Sequence, residues 1–142
     1  MQTYIGTKII QAEPLAKNYG PPETHGQSGY KVVYPDGYTS WSPAAAFEEA
    51  YRPCDAMTFG LAIEALKKGK RVARAGWNGK NMFLFLIQGS NDIAYLHGCG
   101  FGEYQGEPTF RDAIFMRTVD NQIVPWTASQ TDCLAEDWQI VE

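Results

Sequence analysis

Thr58-Phe59-Gly60-Leu61-Ala62-Ile63-Glu64-Ala65-Leu66-Lys67-Lys68-Gly69-Lys70-Arg71-Val72-Ala73-Arg74 decides the fold. Phe59, Ala62, Ile63 and Leu66 recur at helical spacing and share one face, which predicts a helix from Phe59 to Lys68. Thr58 can cap it, and Gly69 supplies a C-terminal stop. Arg71 to Arg74 then reads as a short strand. Met82 to Ile87 is the longest unbroken apolar run and reads as a central strand, apolar on both faces. Between them Gly76-Trp77-Asn78-Gly79 is a turn.

Further along, Ala113 to Thr118 and Gln122 to Val124 predict a hairpin around Asp120-Asn121. Ser129 can cap a short helix through Leu134, and Trp138 to Val141 is a final strand. Gln88 to Phe110 is looser. Gly98, Gly100, Gly102 and Gly106 make its second half a long loop.

Toward the N-terminus, Thr7 to Ala12 predicts a short strand and Pro14 to Gly29 a loop. Tyr30 to Tyr34 and Tyr38 to Trp41 flank Pro35-Asp36-Gly37, a hairpin signature. Ser42-Pro43 reads as a helix start, with Ser as cap and Pro at the first helical position. That helix runs from Ala44 to Tyr51 and stops before Pro53. Arg52 to Ala56 is the expected boundary. The fold class is therefore α+β: a small antiparallel sheet packed with one main amphipathic helix in residues 57–142, preceded by a strand-hairpin-helix appendage in residues 1–56.

The chain has 142 residues, 44% hydrophobic, 20% charged and 13% aromatic, which excludes a disordered or collagen-like chain. The apolar run at Met82 falls far short of the ~20 residues that a membrane helix needs. No leader-like pattern opens the sequence, and Cys54, Cys99 and Cys133 are too few for a disulfide framework. These features predict a cytosolic protein with no membrane partner. The net charge of −4 argues against DNA as a partner, because non-specific DNA binding needs a large positive footprint. Yet six of the 12 basic residues, Lys67, Lys68, Lys70, Arg71, Arg74 and Lys80, lie between positions 67 and 80. They read either as a solvated helix end or as a local anion site.

Catalytic and metal chemistry find little support. His97 and Cys99 give two potential ligands where zinc wants three or four, and His25 is remote in sequence. No nucleophile has an ordered base beside it, and Glu136 and Asp137, being adjacent, point to different sides. We expect no metal, no cofactor and no catalytic residue. Two clusters combine Trp with short polar side chains: Gly76-Trp77-Asn78-Gly79-Lys80 and Pro125-Trp126-Thr127-Ala128-Ser129-Gln130-Thr131-Asp132. Trp77 or Trp126 could stack on a base, a contact worth ~1–3 kcal/mol. Asn78, Ser129, Gln130 and Asp132 could bond a base edge or ribose, and Lys80 or Arg71 could meet a phosphate. The plainer reading keeps both Trp side chains as turn anchors and Ser129 as a helix cap.

The stretch from Met57 through Lys80 resembles the opening of a small phage protein family, and Val124 through Trp138 resembles its ending. The family is the second type of Thoeris anti-defence protein, long catalogued as a phage and prophage domain of unknown function. The resemblance spans residues 57–142. It implies a sponge that binds glycocyclic ADP-ribose, the signal of the bacterial Thoeris system, without degrading it. Some relatives also sequester cyclic di- or trinucleotides. The resemblance further implies a homotetramer in the host bacterial cytoplasm, with pockets built between subunits. This chain departs from the short family form by residues 1–56 and by an expected longer Gly-rich loop near residues 98–106. A phage structural or interaction module is the competing reading, and a signal-degrading enzyme is a third. Nanomolar sequestration requires about 12 kcal/mol, more than one exposed stack provides, so an enclosed pocket is expected.

Overall fold

In a computed structural model of the chain, Gly37 at φ 87° closes a tight turn, and the Asp36 carboxylate accepts from the Tyr38 N–H at 3.0 Å. The turn joins β2 (Gly29–Val33) to β3 (Thr39–Pro43), and β1 (Gln11–Pro14) completes an antiparallel sheet in the order β1-β2-β3. The structure describes residues 1–77, 81–89 and 110–142. Asn78, Lys80, His97, Cys99 and the glycine-rich stretch 98–106 lie outside the described residues. Contacts divide the chain into two units, Met1–Pro53 and Cys54–Glu142.

Two expectations for the first unit are corrected. The strand expected at Thr7 to Ala12 lies at Gln11–Pro14 instead. Gln11 pairs with Val33, the last residue of β2, so residues 7–10 run past the end of that strand and form no ladder with it. β-Branched side chains do not make a strand without a partner. Ser42 does not cap the first helix, α1 (Ala44–Ala50). Its backbone is paired with Tyr30 in the ladder, its hydroxyl meets the Pro43 carbonyl, and Pro43 takes the cap position. The strand therefore runs directly into the helix. Phe47 of α1 stacks on Tyr30 at 4.1 Å and Val32 is fully buried. Trp41 lies against Gly29 so closely that a β-carbon there would come within 2.2 Å of its ring.

The second unit is built on α2 (Phe59–Lys67). Thr58 caps it by accepting from the Leu61 N–H at 3.4 Å, and Gly69 at φ 81° ends it. β4 (Arg71–Arg74), β5 (Phe83–Ile87), β6 (Ala113–Arg117), β7 (Ile123–Pro125) and β8 (Trp138–Val141) form one antiparallel sheet, ordered β7-β6-β5-β4-β8. The middle strand is β5, as its apolar run predicts. The last strand returns to lie beside β4, placing Ile140 opposite Val72.

Ala62, Ala65 and Leu66 of α2 pack with Val72, Leu84, Met57 and Trp138 as the core. Burying a Leu-sized side chain contributes ~1.5–3 kcal/mol, so Leu66 and Leu84 carry a substantial share of this unit's stability. Trp138 is fully buried, and its indole N–H donates to the Asp132 carbonyl at 2.9 Å. α2 covers one face of the sheet. Side chains alternate along a strand, so Val72, Leu84 and Met116 point to that core while Arg71, Phe83, Phe85, Phe115 and Arg117 occupy the other face. The phenylalanines there are only half-buried, so β5 is central in the order but is not buried equally on its two faces.

Candidate ligand-binding groove

A groove of about 450 Å³ opens on the second unit, lined among others by Arg71, Arg74, Trp77, Phe83, Arg117 and Gln139. Its floor follows from strand register. Phe83 lies opposite Arg117, and Ala73 opposite Gln139, so these four positions share the face away from α2. The Arg71 guanidinium carbon sits 4.8 Å from the Phe83 ring centre and that of Arg117 5.9 Å.

The three arginines differ in what neutralises them. Arg74 donates to Asp137 at 2.9 Å and to Asp132 at 3.0 Å, and both contacts are partly buried. The hydrogen bonds to Asp137 and Asp132 raise its pKa. The bond from Arg74 holds the Asp137 carboxyl below the usual carboxylate range, against partial burial and with help from the Gly76 N–H. Burial would raise Asp132, but bonds from the Ser129 backbone and hydroxyl and from Arg74 outweigh it and lower its pKa. By contrast, Arg117 donates to two neutral acceptors, the Asn121 side-chain oxygen at 3.0 Å and the Asn81 carbonyl at 2.7 Å. Among the described residues no carboxylate pairs with Arg71 or Arg117.

The sequence-nominated residues separate into groups. Arg71 and Trp77 line the groove. Trp77 is half-buried and meets Trp138 edge-on at 5.6 Å, so it borders the core and the groove at once. Trp126 does not line the groove. It packs against Phe59 and Trp138, with ring centres 6.1 and 6.0 Å away. Ser129 and Asp132 form a capping box on α3 (Gln130–Leu134): the Asp132 N–H donates to the Ser129 hydroxyl, and the Ser129 N–H to the Asp132 carboxylate. Their polar atoms are thus engaged within the fold. Gln130 is the exposed first residue of that helix. Asn78 and Lys80 lie outside the described residues.

Phe83 and Arg117, like Arg74 and Gln139, are groove residues that sequence reading did not nominate. Both sit on strands the pattern identifies, but the register that puts them side by side is a property of the assembled sheet. Alternation within the two strands was the available signal.

The matches to known proteins fall on this same unit. Residues 57–141 match the family model described as the Thoeris anti-defense 2-like domain. The chain is 59% identical over 85 residues to Thoeris anti-defense 2 of Bacillus phage SP01, covering 60% of this chain and 94% of that protein.

The chain belongs to the Thoeris anti-defense 2-like family.

All the groove residues named above fall inside the span matched to the Thoeris anti-defense 2-like domain. Residues 1–56 lie outside it. The phage relative is covered almost end to end, so the second unit corresponds to nearly the whole of that protein. No helix among the described residues is long and apolar enough to cross a membrane.

Proposed function

We propose that the protein is a phage anti-defence sponge that binds glycocyclic ADP-ribose in the host cytoplasm and holds it unaltered. Membership of a Thoeris anti-defense 2-like family supports the role. The observation that carries the ligand class is the groove, which combines aromatic surface from Trp77 and Phe83 with arginines on one open face. A base needs a π surface, and a diphosphate needs positive charge. Sequestration needs affinity and no turnover, so neither a nucleophile nor a metal has to be present.

The same face supports an assembly. Phe83, Phe85 and Phe115 lie half-buried beside the groove, with Phe85 paired opposite Phe115 and ring centres 6.4 Å apart. A second copy seated there would add a wall to the groove and withdraw the ligand from water, which strengthens each polar contact. The homotetramer expected of the family fits this arrangement.

The test is retention. The full chain is incubated with glycocyclic ADP-ribose or with cyclic di- and trinucleotides, freed of unbound ligand, denatured, and the released material analysed by mass spectrometry. Recovery of intact signal is the expected result. Recovery of a product would make the protein an enzyme, and no retention would favour an interaction module.

A further inference from the structure

We infer that Arg117 and Arg71 form a two-point clamp for a diphosphate, closing over the Phe83 ring from the strands on either side of β5. The inference rests on the reading of the groove as the ligand site.

Arg117 is held in place by unusual backbone. Asn81 and Asn121 are the only non-glycine residues with positive φ among the described residues, both at 63°. Both contact the same guanidinium: Asn81 through its carbonyl at 2.7 Å, Asn121 through its side chain at 3.0 Å. The left-handed region is disfavoured for side-chain-bearing residues, with Asn among those that tolerate it best. Two such positions converging on one arginine fix its direction while giving it no carboxylate partner among the described residues. Arg74, a few residues from Arg71, shows the alternative: two aspartates neutralise it and it ties the fold together.

A fixed guanidinium with neutral partners and unspent N–H groups is an anion receptor. Arg71 faces the same ring from β4, is exposed, and has no carboxylate partner among the described residues. Reaching from opposite neighbours of β5, the two cations suit one phosphoryl group each. The groove therefore selects ligands with linked phosphates over single phosphate ions, and Arg117 sets that preference with Arg71.

The test uses the full chain and two probes, glycocyclic ADP-ribose and inorganic pyrophosphate, measured by calorimetry. Arg117→Gln and Arg71→Gln are each expected to weaken binding of the signal by about tenfold or more, the scale of a charge-assisted contact. Pyrophosphate is expected to compete with the signal, and orthophosphate to compete at least about tenfold less well. Affinity should fall with added salt, and each variant should flatten that dependence. Arg71 is exposed, so its variant reports on the clamp even if Arg117→Gln unfolds. Arg71→Gln with wild-type affinity and salt dependence would overturn the clamp while leaving the sponge intact. Arginine-dependent pyrophosphate binding with no retention of the signal would uphold the clamp and overturn the sponge. Equal competition by orthophosphate and pyrophosphate would overturn the selectivity.

Discussion

Arg74 Nε donates to the Asp137 carboxylate at 2.9 Å, joining the end of β4 to the residue that precedes β8 across 63 positions of sequence. Asp132 takes the other side of the same guanidinium at 3.0 Å. Both aspartates have lowered pKa values. A carboxyl whose folded pKa lies below its unfolded value stabilises the fold fully above the unfolded value. That contribution is lost as pH falls through the folded value. The second unit is therefore expected to lose stability below about pH 4, the ordinary range of an aspartate. Thermal melts across that range should show the decline, and Asp137→Asn should lower the neutral-pH Tm and flatten the acid slope.

Trp77→Ala should affect two measurements together. Its ring borders both Trp138 and the groove, so Tm should fall and affinity for glycocyclic ADP-ribose should weaken by ~1–3 kcal/mol. Trp126→Ala removes a side chain packed on Phe59 and Trp138, at a cost of ~3 kcal/mol or more in stability. The folded fraction of that variant should bind normally. Melts and calorimetry on both proteins check the contrast. A Trp77 variant with lowered Tm and unchanged affinity would make Trp77 a structural anchor alone.

A chain beginning at Met57 is expected to fold and to retain the ligand, because core and groove residues all lie beyond that point. It should be less stable than one beginning at Cys54. The Cys54 carbonyl accepts from the Ile140 N–H at 2.8 Å, and a backbone hydrogen bond is worth ~1 kcal/mol net. Denaturant titration of the two truncated chains measures the difference. Failure of both to fold would show that residues 1–53 are needed by the second unit.

Assembly should depend on the open sheet face. Light scattering at micromolar concentration is expected to find four copies per particle, and a single 15.8 kDa species would refute this. Phe115→Glu should reduce the particle size with little change in helical circular dichroism. Its side chain shares the open face with Phe85, opposite the core. Burying a charge between subunits is costly without a partner.

The legible parts of this fold were those that local chemistry determines. Thr58 and Gly69 bound α2, Pro35-Asp36-Gly37 marks a turn, and Ser129 caps α3. Ser42 misled because its polar side chain precedes a helix while its backbone belongs to a ladder, and only the partner strand decides between them. Thr7 to Ile10 misled for the same reason in reverse: strand-forming side chains with no strand opposite. The site was half legible. Arg71 and Trp77 stand out in a basic, glycine-flanked stretch. Arg117 and Phe83 gain meaning only when β5 and β6 are aligned, and the bonds that Ser129 and Asp132 make to each other appear only in the folded helix end.

The alternation of β5 and β6 has an evolutionary consequence. Phe83, Phe85 and Arg117 can be exchanged at alternate positions without touching Leu84 or Met116, so such substitutions can reshape the groove while the fold persists. A one-residue insertion within either strand is a different kind of event. It would turn the groove's arginine or phenylalanines toward α2 and the core's leucine or methionine outward in a single step. Drift in the lining of the groove should therefore proceed by point changes within the strands, with length variation confined to the connections between them.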